Sequence, residues 1–422
     1  MIKVLYNFLI NIFYLPFCII IFLRIFLGKE HKSKFQEKIV FKKIDRPSGF
    51  LFWFHVASMG ELISIFPLID FFLGKNPNYK FLITSVTLSS FNELEKKYKN
   101  NDRIRHQFLP YDSKILINNF FKNWKPDIIS FVDSEIWPNF FLKIKKENIP
   151  FILLNARITK KSFKRWSLVK NFTSKLFNSI SISISSNRET VNYLNYFGTQ
   201  NVKYYGNIKF CSKYREPKKL EISQFDKVLD KKLWCAVSIH PGEEIFCGKV
   251  HKILRKQNKK IITIIIPRHI DKIKKIYSNL KKMGLKIQIK NENDSLDSSA
   301  DIILVNYYGS VLKYLGRIKQ IFFGKSLLKS LEKVGGQNPI DAAKLGCFIF
   351  HGPFVYNFNE IYDYLDNQKI SEKIHTPEDL AKKLLSNFDR NPQKSFENNE
   401  KIKDYSNKIF LNVIHEYNKF IK

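Results

Sequence analysis

Short apolar runs alternate with amphipathic segments along most of the chain. In the first half, runs rich in β-branched and aromatic residues predict strands at Phe50–Val56, Phe81–Val86, His106–Leu109, Ile128–Val132, Phe151–Leu154 and Ile180–Ile184. Between them, the spacing of apolar residues predicts helices such as Lys114–Trp124 and Pro138–Glu147. Strand–helix alternation of this kind is typical of a parallel sheet covered by helices on both faces.

The pattern pauses at Tyr214–Lys231, which is charged and contains Pro217, and then restarts. Further strands are predicted at Trp234–Ile239, Ile261–Ile266, Leu285–Ile289, Ile302–Val305, Gln320–Phe323 and Phe348–Phe350, and helices at Gly242–Lys256, Ile270–Gly284, Pro339–Leu345 and Thr376–Phe388. We therefore predict two doubly wound α/β domains, at residues 29–215 and 216–396, with a linker near residue 220 and a polar C-terminal helix at 397–422. In such domains, ligands bind at the carboxyl ends of the strands.

The N-terminus differs from the rest of the chain. The twenty residues from Val4 to Leu23 contain no charge and are long enough to span a bilayer. Because no small-residue cleavage site follows, residues 1–28 are predicted to be a retained membrane-anchor helix rather than a signal peptide. Basic residues follow directly and predict that the remaining chain is cytoplasmic. Pro16 and two asparagines leave open a helix that lies in the membrane interface.

Composition adds a strong positive charge. The 422 residues carry a formal net charge of +33, which favours an anionic partner such as nucleic acid, acidic lipid or a phosphorylated substrate. A compositional bias of the genome explains the lysines equally well, since they are spread along the whole chain. No compact Lys/Arg block with interleaved aromatics is present, which argues against a nucleic-acid-binding module. The five cysteines form no CxxC pair, so neither a disulfide framework nor a thiolate metal site is expected.

The basic surface is expected to serve membrane binding. Lysines and arginines near an anionic leaflet contribute about 1 kcal/mol each. We therefore expect the stretch Lys29–Lys43 to lie against the bilayer. The apolar face Leu62–Phe72 of the first helix of the first domain is expected to lie there too.

Polar motifs cluster just after the predicted strands. They are HVASMGE (55–61), LPYDS (109–113), DSEIWPN (133–139), NAR (155–157), GNIKF (206–210), SIHPGEE (238–244), PRH (267–269), GGQNPIDAAKLG (335–346) and HGPFVYNFNEI (351–361). Each motif alone is typical of a turn or a helix cap. Their joint placement at strand ends of two α/β domains favours a functional site.

Glu61 raises the sharpest question of these motifs. It comes one residue after Gly60, where a helix is about to begin. A carboxylate at a helix start can cap the helix and complement its dipole. At the carboxyl end of a strand, the same carboxylate can serve as a catalytic base. The residues alone leave both interpretations open.

The second half has the features of a nucleotide site. Gly335 and Gly336 permit close backbone approach to a ligand, and the helix start after Asn338 offers N–H groups to an anion. Asp341 can accept hydrogen bonds from a ribose diol, and Arg268 offers a planar donor fork to a phosphate. Neither a P-loop nor a G-x-G-x-x-G fingerprint is present.

In order and spacing, these motifs resemble those of the 3-deoxy-D-manno-octulosonic acid (Kdo) transferases of lipopolysaccharide synthesis, over nearly the whole chain. The resemblance implies an α/β architecture of GT-B type, with two facing Rossmann-like domains. It also implies inverting transfer of Kdo from CMP-Kdo to the phosphorylated lipid A precursor, lipid IV-A. This activity is expected at the cytoplasmic face of the cell inner membrane, which is anionic, with no metal or other cofactor and no nucleic-acid partner. The acceptor domain is then N-terminal and the CMP site C-terminal.

The resemblance also assigns roles to residues. It implies that Glu61 is the general base and that Asp133 and Lys209 stabilise the transition state. The implied CMP contacts are Pro267, Arg268, Tyr308, Gly309, Ser310, Asn338, Pro339, Ile340 and Asp341. The chain departs from the family pattern at Asp133 and Asp341, where the family usually has glutamate, at Ser310, which replaces an acid, and at Lys325, where a glycine is usual. We interpret the chain as an active but divergent member.

Two other functions compete with this interpretation. One is a GT-B glycosyltransferase that uses a UDP-sugar and a lipid acceptor, which a preference for UDP over CMP would reveal. The other is a non-catalytic membrane protein that binds anionic lipid through its basic surface. Lipid binding by that protein would be indifferent to changes at Glu61 or Arg268.

Overall fold

The computed structural model describes residues 1–212, 224–257, 260–388 and 392–421, and the side chains of 392–396 are outside this description. The chain forms two compact units, the first from Met1–Lys213 and Ser406–Lys422 and the second from Tyr214–Tyr405. The predicted domain boundary at 215/216 and the linker near residue 220 lie outside the described residues. The predicted C-terminal helix at 397–422 is the later part of a longer helix, Pro392–Asn418, whose end belongs to the first unit.

The first unit is built on a seven-stranded parallel sheet. Its strands are β1 Phe50–Val56, β2 Tyr79–Ser85, β3 Ile104–Phe108, β4 Ile128–Val132, β5 Phe151–Ala156, β6 Ile182–Ser185 and β7 Val202–Tyr204. Their order is β3-β2-β1-β4-β5-β6-β7, and every neighbouring pair is parallel. The chain direction across the sheet reverses between β1 and β4. This switch point is where a doubly wound sheet binds its ligand.

Helices cover both faces of the first sheet. They are α1 Ile2–Ile12, α2 Tyr14–Phe26, α3 Gln36–Ile39, α4 Met59–Lys75, α5 Leu88–Tyr98, α6 Lys114–Trp124, α7 Pro138–Glu147, α8 Lys160–Ser167, α9 Lys170–Phe177 and α10 Arg188–Tyr196. Several begin at a Ser, Thr or Asn whose side chain accepts a hydrogen bond from the first turn, as at Thr87 and Asn187. Trp53 on β1 packs against Phe120 and Phe140 at the centre of one core face.

The second unit repeats this plan with its own core. Its strands are β8 Lys232–Ile239, β9 Ile261–Pro267, β10 Ile287–Lys290, β11 Ile302–Val305, β12 Gln320–Phe323, β13 Phe348–His351 and β14 Ser371–Lys373. Its helices are α11 Glu243–Gln257, α12 Ile273–Lys282, α13 Val311–Arg317, α14 Ile340–Lys344, α15 Asn359–Asn367 and α16 Pro377–Phe388. The last helix, α17 Pro392–Asn418, begins in this unit and passes into the first unit at Ser406. The parallel strands have the order β10-β11-β9-β8-β12-β13-β14, with the switch point between β8 and β12.

The predicted pair of parallel sheets is confirmed, but the prediction lacked one edge strand in each sheet. Strands β7 and β14 were not predicted, because each has three residues and lacks a continuous apolar run. The predicted helix Ile270–Gly284 begins as a 3₁₀ turn, Ile270–Lys272, before α12.

The N-terminal segment is two helices rather than the single anchor helix that the sequence predicts. The described residues contain no single helix that is long and apolar enough to cross a membrane. Taken together, α1 and α2, which are bent by 43°, have the length and composition of a membrane span. The break has a local cause. Pro16 lacks the N–H that would donate to the Ile12 carbonyl, and its ring crowds that carbonyl, so α1 ends at Ile12.

The expectation that the Leu62–Phe72 face of α4 lies against a bilayer is wrong. The apolar residues of this helix, including Leu62, Ile65 and Phe72, are buried in the first unit. Tyr417 on α17 covers part of it, with ring centroids 5.7 Å from Phe72. A helix that is apolar on most sides is typical of a core helix packed on a sheet and beneath another helix.

Candidate functional site

Glu61 lies on the first turn of α4, directly after β1. One carboxylate oxygen accepts a hydrogen bond from the Ala57 N–H at 2.7 Å, and the other accepts one from the Ser58 hydroxyl at 2.8 Å. The Glu61 N–H in turn donates to Ser58 Oγ, at 3.4 Å. This is a variant of the capping box, in which the carboxylate accepts from Ala57, the residue before the N-cap Ser58. A carboxylate has about four lone-pair sites, so these two bonds leave acceptor capacity for a substrate proton.

The surroundings of Glu61 favour its protonated form. Burial raises the pKa of its carboxyl group, the Ala57 N–H opposes this rise, and the carboxylates of Asp133 and Glu135 add to it. A carboxylate with a raised pKa is a stronger base than an ordinary surface glutamate. The capping role and the basic role are therefore compatible in this geometry.

Asp133 and Lys209 join Glu61 at the switch point of the first sheet. Asp133 follows β4, and its carboxylate lies 3.1 Å from the Lys209 ammonium. Its φ of 64° is a left-handed conformation that aspartate tolerates better than most residues. Lys209 lies on a 3₁₀ turn, Ile208–Cys211, that contacts α4 and is held by the Asn155 side chain, which accepts from the Ile208 N–H at 3.0 Å. The structure thus brings the three predicted catalytic residues into one cluster.

Two further residues of this cluster were not predicted. Glu135 accepts a hydrogen bond from the Trp137 indole at 2.9 Å and lies 3.4 Å from Nε2 of His55. His55 is fully buried on β1, and its Nδ1 is 3.0 Å from the Thr84 hydroxyl. The signal was present in DSEIWPN, where two carboxylates are two residues apart, but only the first was assigned a role. His55 and Trp137 fix the orientation of Glu135 beside Glu61.

In the second unit, a positive cluster lies at the ends of β8, β9 and β12. Pro267 ends β9, and the Arg268 N–H donates to the Ile239 carbonyl at 3.0 Å. The Arg268 side chain is exposed. The pKa of His240 is lowered to about 4 by burial and by its neighbours His269, Lys325 and Arg268. The cationic side chains of Arg268 and Lys325 make this strand edge attractive to an anion.

Glu243 organises this edge, and its role was not predicted. It is 0% exposed, and its two oxygens accept hydrogen bonds from four backbone N–H groups. The donors are His240, Lys325, Ser326 and Leu327, at 2.7–3.1 Å. Lys325 has a φ of 59°, a left-handed conformation that glycine adopts without strain.

The two glycines before α14 approach protein backbone. A side chain at Gly335 would come within 2.1 Å of the Phe354 carbonyl oxygen, and Gly336 has a φ of 91° and donates its N–H to the Lys325 carbonyl at 2.7 Å. For Gly335, the predicted approach to a ligand is thus an approach to the segment after β13. Asn338, which is exposed, accepts from the Ile340 N–H at 3.1 Å.

The remaining predicted CMP contacts differ in accessibility. Tyr308 and Gly309 follow β11 and are exposed, whereas Ser310 is buried at the start of α13. Pro339 and Ile340 are also buried, and Asp341 is half-buried on α14. All of these residues follow strands at the carboxyl edge of the second sheet. Within the described ranges, no group of three or more His, Cys, Asp or Glu side chains could hold a metal ion.

Two doubly wound units of this kind place the chain in the GT-B class of α/β proteins. The fold is similar to that of a glycosyltransferase from Rickettsia africae ESF-5, with a TM-score of 0.57, 13% identity, and coverage of 89% of this chain and 100% of that chain. It is also similar to UDP-GlcNAc 2-epimerase from Neisseria meningitidis, with a TM-score of 0.58, 13% identity, and coverage of 86% and 98%. Since a transferase and an epimerase share it, the fold does not define the reaction.

The amino-acid sequence identifies the family. Residues 33–212 match the family model of 3-deoxy-D-manno-octulosonic-acid transferase (kdotransferase). The chain is 30% identical over 412 residues to a 3-deoxy-D-manno-octulosonic acid transferase of Rickettsia bellii (strain RML369-C), which covers 95% of this chain and 97% of the relative. The chain belongs to the 3-deoxy-D-manno-octulosonic acid transferase family, and it is a glycosyltransferase.

Proposed function

We propose that this enzyme transfers Kdo with inversion from CMP-Kdo to the phosphorylated lipid A precursor, lipid IV-A, in lipopolysaccharide biosynthesis. The observation that carries the proposal is the cluster of Glu61, Asp133 and Lys209 at the switch point of the first sheet, in a chain of this family. We also propose that the reaction takes place at the cytoplasmic face of the inner membrane.

Glu61 acts as the general base. The acceptor hydroxyl loses its proton to Glu61 as its oxygen bonds to the anomeric carbon of Kdo, and the bond from that carbon to the CMP phosphate oxygen breaks. Burial raises the pKa of Glu61, which strengthens it as a base. Its bonds to Ala57 and Ser58 hold the carboxylate in one orientation.

Lys209 stabilises the negative charge that develops as CMP leaves. Its ion pair with Asp133, at 3.1 Å, positions the ammonium group. The Ser134 hydroxyl, 2.9 Å from the other Asp133 oxygen, fixes the carboxylate in turn.

The donor phosphate is held by the positive cluster of the second unit. Arg268 supplies an exposed guanidinium, and Lys325 and His269 add cationic or donor groups beside it. Tyr308–Ser310 and Asn338–Asp341 complete the proposed CMP contacts. With these cations, charge on the leaving phosphate is neutralised by protein side chains, and we propose that no metal or other cofactor takes part.

Mass spectrometry of the lipid product tests the proposal. Incubation of the full chain with CMP-Kdo and the tetra-acylated lipid A precursor should give a product heavier by one or more Kdo residues. Calorimetry should show binding of CMP in preference to UDP. Preference for UDP, or the absence of a Kdo-containing product, would contradict the proposal and favour the UDP-sugar enzyme.

A further inference from the structure

The first two helices expose a continuous apolar surface, which we call the N-terminal apolar face. It consists of Val4, Leu5, Phe8, Leu9, Ile12, Phe13, Leu15, Ile19, Ile20, Phe22, Leu23, Phe26 and Leu27, all of which are exposed. Among residues 1–27, the exposed polar side chains are Lys3 and Asn11. Ile115, at the start of α6, is 75% exposed beside Asn11 and extends the surface.

The opposite face of the helix pair is attached to the first unit. On α1, the Tyr6 hydroxyl donates to the buried Asp112 carboxylate at 2.6 Å, and the Ile10 carbonyl accepts from the Tyr111 hydroxyl at 2.9 Å. On α2, the ring of Phe17 packs 4.6 Å from that of Tyr111. Farther along α2, Ile21 is buried, and Arg24 pairs with Glu30 at 2.7 Å. Each helix is therefore fixed to the globular unit.

From this geometry we infer that α1 and α2 lie in the plane of the membrane interface and insert the N-terminal apolar face into one leaflet, without spanning the bilayer. The inference rests on the proposed function, which places the enzyme at the inner membrane. At 1.5 Å per residue, α1 and α2 are about 17 and 20 Å long, and the hydrocarbon core is about 30 Å thick. Neither helix alone reaches across.

The attachment excludes spanning by the pair together. The middle of the pair, from Ile10 to Tyr14, is bound to Tyr111. A spanning pair would carry this middle to the bilayer centre and draw Tyr111 and Asp112 into hydrocarbon, or it would detach from them. Detachment would take the Tyr6 hydroxyl from Asp112, which also accepts backbone bonds from Asn139 and Phe140. Polar groups without hydrogen-bond partners are strongly disfavoured in hydrocarbon.

The composition of the surface identifies its partner as lipid. Non-obligate protein–protein interfaces are about as apolar as ordinary surface, and homodimer interfaces are only about 65% apolar, each with a polar rim. The N-terminal apolar face is almost wholly hydrocarbon, and residues 1–29 contain Lys3, Arg24 and Lys29 but no acidic residue. An apolar helix face bordered by basic residues fits the interface of an anionic bilayer.

Vesicle binding tests the surface. Phosphatidylglycerol-containing vesicles should bind the Phe8→Asp/Leu23→Asp variant at least tenfold more weakly than the wild type. Leu168→Asp is the matched control, because Leu168 is 86% exposed elsewhere on the first unit, and it should bind as the wild type does. Equal binding by all three proteins would overturn the inference. If the wild type formed a dimer without vesicles and the double variant did not, the surface would be a contact with a second copy of the chain. That result would also overturn the inference.

Probe depth distinguishes an in-plane pair from a spanning one, with neutral labels that keep the surface apolar. In a Cys18→Ser background, the other four cysteines are buried, so Phe8→Cys and Leu23→Cys can each be labelled with a fluorophore. Both labels should be quenched more by nitroxide lipids labelled near the headgroup than by those labelled near the bilayer centre. Stronger quenching of either label from the centre would overturn the inference. This experiment measures no transfer. If the labels are shallow but the Kdo assay gives no product, the proposed function is contradicted and the in-plane geometry is still supported.

Discussion

Each unit carries a glutamate at the start of the helix that follows the first strand of its sheet. In the first unit this is Glu61, after β1, and in the second it is Glu243, after β8. Glu61 is half-buried and accepts two hydrogen bonds, both from its own capping segment. Glu243 is fully buried and accepts four backbone hydrogen bonds, three of them from the loop after β12.

The difference shows that a carboxylate at a switch point is not by itself a catalytic group. The lone-pair sites of Glu243 are occupied by N–H donors, so it holds a loop in place and has no capacity for a substrate proton. Glu61 keeps that capacity and lies beside two other carboxylates and a lysine. Matched glutamine substitutions at the two positions can test this division of roles.

The largest effect is expected at Glu61. Glutamine is also a capping-box residue and keeps the bonds to Ala57 and Ser58, so Glu61→Gln should fold. It cannot take a proton, and turnover should fall by about 10²–10⁴. CMP affinity, measured by calorimetry, should not change. Turnover close to that of the wild type would remove Glu61 from the mechanism.

The reverse result is expected for Glu243→Gln. One amide oxygen can replace only half of the acceptors, and the NH₂ group would face two buried N–H donors. Each unsatisfied buried donor costs about 1–3 kcal/mol, so the free energy of unfolding should fall by at least about 2 kcal/mol. Chemical denaturation measures this loss. If Glu243→Gln were as stable as Glu61→Gln, the contrast between the two glutamates would fail.

Arg268 tests the second unit without changing its framework. Its side chain is exposed, so Arg268→Ala should leave the free energy of unfolding nearly unchanged. It removes a charge-assisted hydrogen bond worth about 1.5–3 kcal/mol, so the KM for CMP-Kdo should rise by about 10- to 150-fold and the acceptor KM much less. Arg268→Lys keeps the charge but loses the planar fork, so its KM for CMP-Kdo should lie between those of the wild type and Arg268→Ala. An unchanged donor KM in Arg268→Ala would move the CMP site elsewhere.

Local signals determined how much of this could be predicted. Strands such as Ile128–Val132 and Gln320–Phe323 match their predicted bounds, because apolar runs end at clear turn residues. The roles of Glu61, Asp133 and Lys209 were implied by the family resemblance, and the placement of their motifs after parallel strands accounts for their meeting at one sheet edge. The role of Glu243 was not, because its donors come from a loop far along the chain and no local pattern records such a bond.

The error at α4 has the same origin. The apolar residues between Leu62 and Phe72 indicate a buried surface but do not identify what covers it. The cover includes Tyr417, near the C-terminus. Likewise, the prediction of a single anchor helix missed the break that Pro16 causes, and the attachment of α1 through Asp112 depends on a residue that follows a distant strand.

The smallest expected effect is the pH dependence of the free energy of unfolding, and its sign separates the two roles of Glu61. Burial raises the pKa of Glu61, so above about pH 4.5 the folded state binds more protons than the unfolded state. The wild-type free energy of unfolding should therefore lose a contribution as pH rises from that value through the folded pKa. Glu61→Gln cannot titrate, so its stability relative to the wild type should increase with pH over this window.

A glutamate that only complements the helix dipole would have a lowered pKa, and the relative stability of the variant would then decrease with pH. Urea denaturation of both proteins between about pH 4 and pH 8 gives the sign of the change in relative stability with pH. A pKa shift of one unit corresponds to about 1.4 kcal/mol, and a fraction of that value is enough to determine the sign. A decrease with rising pH would identify Glu61 as an ordinary cap and remove the contrast with Glu243.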